Sequence, residues 1–188
     1  MSKQNNISFN KFIDELEYSS NFDFNGLKNI FNVYGIIVKD SVLKGDILGL
    51  TSFNSEIHFN MSKIKNLLEN KIISHADIFF LILHELCHFI RIKKYGKDYH
   101  IKNIITDNFD EFCEFLLYEE MVCDKFSTIY FYKFNKLKYS GKFIRDFSSY
   151  LLKEYYTNGL NKTYKKASEY NFDFEKMVDE YFVVIKRD

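Results

Sequence analysis

Apolar positions near the N-terminus follow two different periods. In residues 9–16 and 27–31 they recur every three or four positions, which predicts two helices within residues 1–33. From Gly35 onward the period shortens, and the segments G-I-I-V-K, D-I-L-G-L-T-S and E-I-H-F-N alternate or are β-branched. Turn-like K-G-D and F-N-S separate them. The pattern predicts three strands within residues 34–60, paired as an antiparallel meander.

After residue 60 the spacing is helical throughout. One short helix is predicted around residues 64–72, and Ser74 with Asp77 three positions later marks the start of the next, which ends near Tyr95-Gly96. A long helix is predicted from near Asp107 past Phe126, so residues 61–136 are helical, and further helices fall within 142–188. Strands followed by helices predict a single α+β domain, 1–188, with a small, mainly antiparallel sheet packed on a helical core.

Composition narrows the class of protein. The chain has 188 residues, of which 46% are hydrophobic and 19% aromatic, so it can bury a real core and is expected to fold rather than to be intrinsically disordered. Lys+Arg and Asp+Glu balance at 26 each, so direct binding to nucleic acid is not expected. We interpret the basic cluster of Arg91, Lys93 and Lys94 as a solvated helix end.

The N-terminal sequence and the cysteines indicate the cellular compartment in which the protein is expected. The N-terminus M-S-K-Q-N-N-I-S has no apolar core of a signal peptide, and the longest apolar run, residues 78–83, is too short to cross a bilayer. The three cysteines form no even framework and no CxxC motif. We therefore expect a reduced, cytoplasmic protein that does not associate with a membrane.

The segment L-H-E-L-C-H-F-I places polar groups in an apolar helix. His84 and His88 are four residues apart, so both rings project from one face and can bind one Zn²⁺ at about 2.0–2.1 Å. Glu85 lies roughly 100° around the helix, where it can reach a metal-held water as its general base. The alternative is a chance HExxH in a core helix. Buried polar groups without partners cost about 1–3 kcal/mol each, however, and a metal would satisfy all three.

Zinc needs a third protein ligand. The extended pattern HExxHxxGxxH is excluded, because positions 91 and 94 hold Arg91 and Lys94. The later segment Y-E-E-M-V-C-D-K-F-S offers Glu119 and Glu120, and only one of these can face the metal. We choose Glu120, because Asp124 lies one helical turn further on the same face and can support a ligating histidine through its second nitrogen. Adjacent acids more commonly form a solvated helix face, so replacing Glu119 is expected to cost little stability.

These two motifs carry a family resemblance. H-E-L-C-H followed by E-M-V-C-D-K-F-S resembles the gluzincins, and more narrowly the ImmA/IrrE family, whose second motif reads roughly E-x-x-A-(D/N)-x-F-A. In this chain Cys123 and Ser127 stand at the two alanine positions, and Cys87 stands where the family often has glycine. We expect Cys87 to be a small core residue. The resemblance covers about residues 25–132 and implies a zincin-like core.

The resemblance also implies an activity. It implies a cytoplasmic zinc endopeptidase, often of phages and mobile elements, that cleaves a repressor- or antitoxin-like protein partner. In such enzymes a strand beside the zinc helix pairs with the substrate, and here that strand is expected to be Glu56, Ile57 and His58. The donor that polarises the scissile carbonyl is open among four residues: His100, Tyr95, Tyr99 and Tyr118.

Two alternatives remain open from the sequence. An SprT-like protease would fit Y-G-K-D-Y after the zinc helix, but that family takes a histidine as third ligand and a basic DNA-binding extension is not seen. A phage or mobile-element binding protein with a structural zinc site is the other alternative. A structural site usually has four protein ligands, and no fourth is evident.

Overall fold

A computed structural model describes residues 6–45, 47–105 and 109–137 of the chain. In these ranges the structure is mostly helical, with a small sheet. In chain order, the elements are α1 Ile7–Tyr18, α2 Phe24–Val33, β1 Ile37–Asp40, β2 Gly49–Thr51, β3 Glu56–Phe59, α3 Met61–Glu69, α4 His75–Tyr95, α5 Lys97–Ile104 and α6 Phe109–Asn135. The α+β class is confirmed. The helices predicted within 142–188 lie outside the described residues.

The bounds of α4 follow from its sequence. The Asp77 N–H donates to Ser74 Oγ at 3.3 Å and the Ser74 N–H donates to Asp77 Oδ2 at 2.8 Å, which completes the predicted capping box. The helix ends at Gly96, whose φ of 83° suits glycine. Both ends of this helix are therefore confirmed. Residues 97–104, which lie in the range predicted to be helical but were not assigned to an individual helix, form α5.

The sheet is mixed, and the predicted antiparallel meander is wrong. The strand order is β1-β3-β2, with β1 parallel to β3 and β2 antiparallel to β3. A tight hairpin turn would have forced β1 and β2 together, but residues 41–48 separate them, so β2 can lie on the far side of β3. The central strand is thus β3, whose Ile57 and Phe59 are fully buried.

The outer edge of β1 is covered by a side chain. The Asn6 amide donates to the Ile36 carbonyl at 2.8 Å, and the Val38 N–H donates to Asn6 Oδ1 at 2.9 Å. Asn6 therefore takes the place of a neighbouring strand at this position. The edge of the described sheet that has no such cover is β2.

Helix α4 runs through the core and is buried on most of its surface. Phe79 packs at ring-centroid distances of 5.1 Å from Phe24 and 5.5 Å from Phe131, which ties α4 to α2 and α6. Arg91 is only 1% exposed, so its predicted place in a solvated helix end is wrong, whereas Lys93 and Lys94 are exposed. Within the described ranges no helix is long and apolar enough to span a membrane.

Candidate metal centre

Two helices bring three potential ligands together. His84 Nε2 lies 3.0 Å from Glu120 Oε2, His88 Nε2 lies 3.4 Å from Glu120 Oε1, and the two Nε2 atoms are 3.1 Å apart. With bonds of 2.0–2.1 Å, two ligands of a tetrahedral zinc ion are about 3.3 Å apart. The group of His84, His88 and Glu120 can therefore hold a metal ion.

The chemistry of the donor set also fits a cation. The facing nitrogens of His84 and His88 and the Glu120 carboxylate converge on one point, and all three side chains are largely buried. Two lone pairs that face each other at this distance need a proton or a metal between them. Two imidazoles and a carboxylate suit zinc and other first-row transition metals.

Asp124 supports His84 from behind. Its Oδ1 lies 3.0 Å from His84 Nδ1, so the imidazole can donate from Nδ1 and leave Nε2 to bind a cation held between His84, His88 and Glu120. The predicted spacing of Glu120 and Asp124, one helical turn apart on α6, places both on the face that contacts α4. Glu120 is the acid that faces the histidines.

Charges within the cluster shift the pKa of each member. Burial opposes protonation of His84, but Glu120 and Asp124 outweigh it and raise the pKa of His84 well above its usual value. Burial likewise opposes protonation of His88, and Cys123 and Glu120 raise its pKa. Burial raises the pKa of the Glu120 carboxyl, yet the two histidines outweigh burial and hold that pKa well below the usual range. Protons and metal ions therefore compete for the same nitrogens.

Two buried cysteines lie behind the histidines. Cys87 of α4 and Cys123 of α6 are both free and fully buried. Burial raises the pKa of the Cys123 thiol, as does the neighbouring Cys87, whereas His88 acts to lower it. Cys87 and Cys123 are outside the ligand group, as the sequence predicted for Cys87. The influence of Cys123 on the pKa of His88 was not predicted, because the residue type at position 123 indicated only a small side chain.

Glu85 projects from α4 toward β2. Its side chain is buried, and Thr51 Oγ1 lies 2.8 Å from Glu85 Oε2 and 2.9 Å from the Glu85 carbonyl oxygen. A Cβ at position 49 would lie 2.9 Å from both Cγ and Oε1 of Glu85, closer than ordinary contact. Glycine at position 49 is therefore what lets the Glu85 side chain lie against the strand.

A cavity of about 340 Å³ joins these groups. His84, Glu85, His88 and Glu120 all line it. Most of the remaining wall is apolar and comes from the β2 region, from α4 with the residues just before it, and from α6, including Ile47, Leu50, Phe53, Ile73, Phe80, Ile92 and Leu116. A mostly apolar cleft with a few convergent polar groups is the usual form of a ligand site.

The strand beside this cavity is β2, so the predicted substrate strand is wrong. Ile57 and His58 of β3 pair with β1 on one side and with β2 on the other, and Glu56 pairs with β1. A strand whose neighbours are already in place has no edge for a peptide. Its His58 instead contacts Ser41 Oγ at 2.9 Å.

Among the described residues, one edge of the β2 backbone is free of pairing partners. The Asn60 N–H donates to the Leu48 carbonyl and the Ser52 N–H donates to the Glu56 carbonyl, at 2.9 and 2.8 Å. Because hydrogen-bonded positions alternate along an antiparallel pair, the N–H and C=O groups of Gly49 and Thr51 point away from β3. These two residues are also the ones that contact Glu85.

Glu119 is a buried ion-pair partner and does not lie on the solvated helix face that adjacent acids more commonly form. Its carboxylate accepts from Arg91 Nε at 2.6 Å and from Arg91 Nη2 at 2.5 Å, and the side chains are 1% and 5% exposed for Arg91 and Glu119. Tyr95 and Tyr118 pack on the guanidinium, with centroids 5.0 and 5.6 Å away. The pair fixes α6 to α4 one residue before the ligand Glu120.

Of the four predicted carbonyl-polarising residues, one lines the cavity. Tyr95 and Tyr118 are engaged with Arg91, and Tyr99 packs on Tyr95 at 5.2 Å outside the cavity wall. His100 of α5 is 5% exposed and lies in the wall. The structure therefore retains His100 alone as a group that can contact a molecule in the cavity.

No known family model matches this chain, and comparisons with curated proteins and with solved structures found no match. The function of the site therefore rests on its own geometry.

Proposed function

We propose that this chain is a zinc-dependent endopeptidase that cleaves a protein or peptide partner. One observation carries the proposal: the carboxylate of Glu85 lines the same cavity as the ligand group of His84, His88 and Glu120. A metal site that served only to stabilise the fold would have no use for a further buried carboxylate beside an open cleft. Zinc held there would supply a Lewis acid that polarises a carbonyl and acidifies a water molecule.

Glu85 is the general base in this proposal. Thr51 donates its hydroxyl proton toward Oε2, and no hydrogen bond to Oε1 is made within the described residues. One carboxylate oxygen is thus held and the other is available to take a proton from water. Glu85 then returns that proton to the amine that leaves, so that it acts first as base and then as acid.

The substrate lies along the free edge of β2 in this proposal. Gly49 and Thr51 present N–H and C=O groups to that edge, and an extended peptide that pairs with them would pass beside Glu85. The other outer edge of the sheet is covered by Asn6. A repressor- or antitoxin-like protein with an extended segment is the kind of partner that this arrangement fits.

The test is the Glu85→Gln substitution, with Glu69→Gln on the exposed surface of α3 as a matched control. The purified parent should contain about one zinc per chain and cleave members of a random peptide library. Glu85→Gln should keep the zinc and the fold but lose cleavage, since only the base is removed. The control should match the parent in both.

Two results would overturn the proposal. Undiminished cleavage by Glu85→Gln would show that Glu85 is not the general base. A zinc-loaded parent that cleaves no library member and none of the proteins encoded beside it would favour the alternative, a binding protein with a structural zinc site.

A further inference from the structure

The cavity continues on both sides of the metal ligands. Along α4 its wall runs from Asp77 to Ile92, a rise of about 22 Å, and the histidines of the ligand group lie between these two residues. Phe80 lies four residues before His84, and Ile92 lies four residues after His88, so each is one helical turn, about 6 Å, from the nearest histidine and on the same face. Helix α4 therefore lines the cavity with a bulky apolar side chain on each side of the ligand group.

The segment that contains β2 forms another wall with the same property. Its chain is extended, because hydrogen bonds to β3 and to the residue after it continue beyond β2 at Leu48 and Ser52. Phe53 follows this stretch and packs on His100 of α5, beyond the C-terminal end of α4, at a centroid distance of 6.4 Å. Ile47 precedes the stretch and therefore lies toward the N-terminal half of α4. Ile47 and Phe53 thus extend the apolar wall toward opposite ends of the cavity.

A molecule in the cavity can reach the apolar side chains of this segment. Ile47, Leu50 and Phe53 all line the cavity, and they remain 45%, 48% and 38% exposed. Exposed bulky apolar side chains that adjoin one cleft are typical of a binding site. Contact with a bound apolar group would remove this surface from water, which favours binding.

The charged groups of the wall belong to the metal site or are already bonded. None of the described residues that line the cavity is lysine or arginine. Asp77 bonds to Ser74 in the capping box, and Glu119 bonds to Arg91. A charged side chain would lose its hydration against the rest of this wall, whereas an apolar side chain would gain from burial.

The free edge of β2 indicates what kind of molecule carries these apolar groups. Gly49 and Thr51 present N–H and C=O groups at that edge, two residues and about 7 Å apart. This spacing matches the backbone of an extended peptide, whereas a lipid would leave the same groups without partners.

We propose that the cavity binds an extended peptide segment with bulky apolar side chains on both sides of the ligand group. As a statement about the substrate that is cleaved, this inference rests on the proposed function. Its content is a binding preference, however, which can be measured without turnover.

The experiment uses phosphinic peptides, in which a phosphinate that can bind zinc replaces one peptide bond and cannot be hydrolysed. The first probe has two leucines on each side of the phosphinate, and each of two further probes has alanines in place of the leucines on one side. Two residues are varied together because successive side chains of an extended peptide point to opposite faces. Binding to the zinc-loaded parent is measured by calorimetry. Either alanine probe should bind at least about tenfold more weakly than the leucine probe, because it lacks apolar groups that contact the wall.

Serine substitutions assign the two ends of the cavity. Ile47→Ser should reduce the preference for leucine on one side of the phosphinate, and Phe53→Ser should reduce it on the other side, each with the zinc content of the parent. Ile7→Ser is the matched control, because Ile7 is 64% exposed on α1 and lies outside the cavity wall. The control should leave both preferences unchanged.

Several results would overturn the inference. They are a parent that binds none of the probes, an alanine probe that binds as tightly as the leucine probe, and serine variants that leave both preferences unchanged. Tighter binding of laurate, an apolar chain without a peptide backbone, would overturn it in favour of a lipid. Preferences on both sides in a chain that cleaves no peptide would support the inference and count against the peptidase alone. Cleavage of library peptides at bonds flanked by residues of every kind would count against the inference alone.

Discussion

Removing Glu119 should destabilise the protein strongly, although the sequence alone predicted a small effect. Arg91 and Glu119 exchange two short charge-assisted hydrogen bonds, and both side chains are almost completely buried. Glu119→Ala would remove the carboxylate that accepts both of these hydrogen bonds from the buried guanidinium of Arg91. Breaking a buried pair in this way costs about 3–5 kcal/mol in free energy of unfolding. For a chain of this size that corresponds to a fall in Tm of roughly 6–20 °C.

The assay is chemical denaturation of the zinc-loaded proteins, with Glu120→Ala measured beside it. Glu120→Ala should purify without its metal, because two histidines alone do not hold zinc tightly. Glu119→Ala should still bind about one zinc per folded chain, since Glu119 lies outside the ligand group. The two neighbouring substitutions thus separate loss of stability from loss of metal.

A double substitution tests whether the broken ion pair is the cause of the lost stability. Arg91→Met with Glu119→Leu removes both charges and keeps apolar volume, and replacement of a buried pair by apolar residues is often neutral or stabilising. We expect the double variant to recover most of the stability that Glu119→Ala loses. A loss below about 1 kcal/mol in Glu119→Ala, or a double variant as unstable as the single one, would refute the buried ion pair as the cause.

Three further predictions concern the metal centre. Asp124→Ala should weaken zinc affinity about 10–100-fold, because His84 loses the group that orients it. Chelator competition measures this affinity, and equal affinity in variant and parent would show that Asp124 does not support the site. Gly49→Ala should fold and bind zinc but turn over more slowly, because the new Cβ would push the Glu85 carboxylate aside. Although burial opposes protonation, acidic neighbours raise the pKa of both histidines, so zinc affinity should fall as pH is lowered from about 8 to about 6. A zinc affinity that does not change over this pH range would contradict the competition between protons and zinc for the histidines.

The parts of the site that lie on one helix could be predicted from sequence. Helical geometry alone places His84 and His88 on one face, and it gives Glu120 and Asp124 a common face on a second helix. The capping box at Ser74 is equally local, and the start of α4 agrees with it. Each of these predictions needs only the rise and turn of an α-helix, which neighbouring residues determine.

The parts that depend on pairing between distant segments could not be predicted. The strand order β1-β3-β2 depends on the path of residues 41–48, and no local period records that path. Likewise, nothing in the run R-I-K-K distinguishes the buried Arg91 from the exposed lysines that follow it. Its partner Glu119 is 28 residues away along the chain. The substrate-strand prediction failed for the same reason, because it assumed which strand formed the edge.

One arrangement explains the polar residues of the apolar helix α4. His84, His88 and Arg91 contact Asp124, Glu120 and Glu119 in reverse order along α6, so the two helices run antiparallel along a polar seam. Every pair in this seam joins α4 to α6, and the ligand group belongs to it. Metal binding should therefore stabilise the contact between these helices, since a ligand that binds only the folded state adds RT ln(1 + [L]/Kd) to its stability. Conversely, substitutions that weaken the Arg91–Glu119 pair should reduce zinc affinity. The ligands of α4 and α6 come together only in molecules in which the two helices are in contact, so the affinity should fall as the fraction of molecules with separated helices rises.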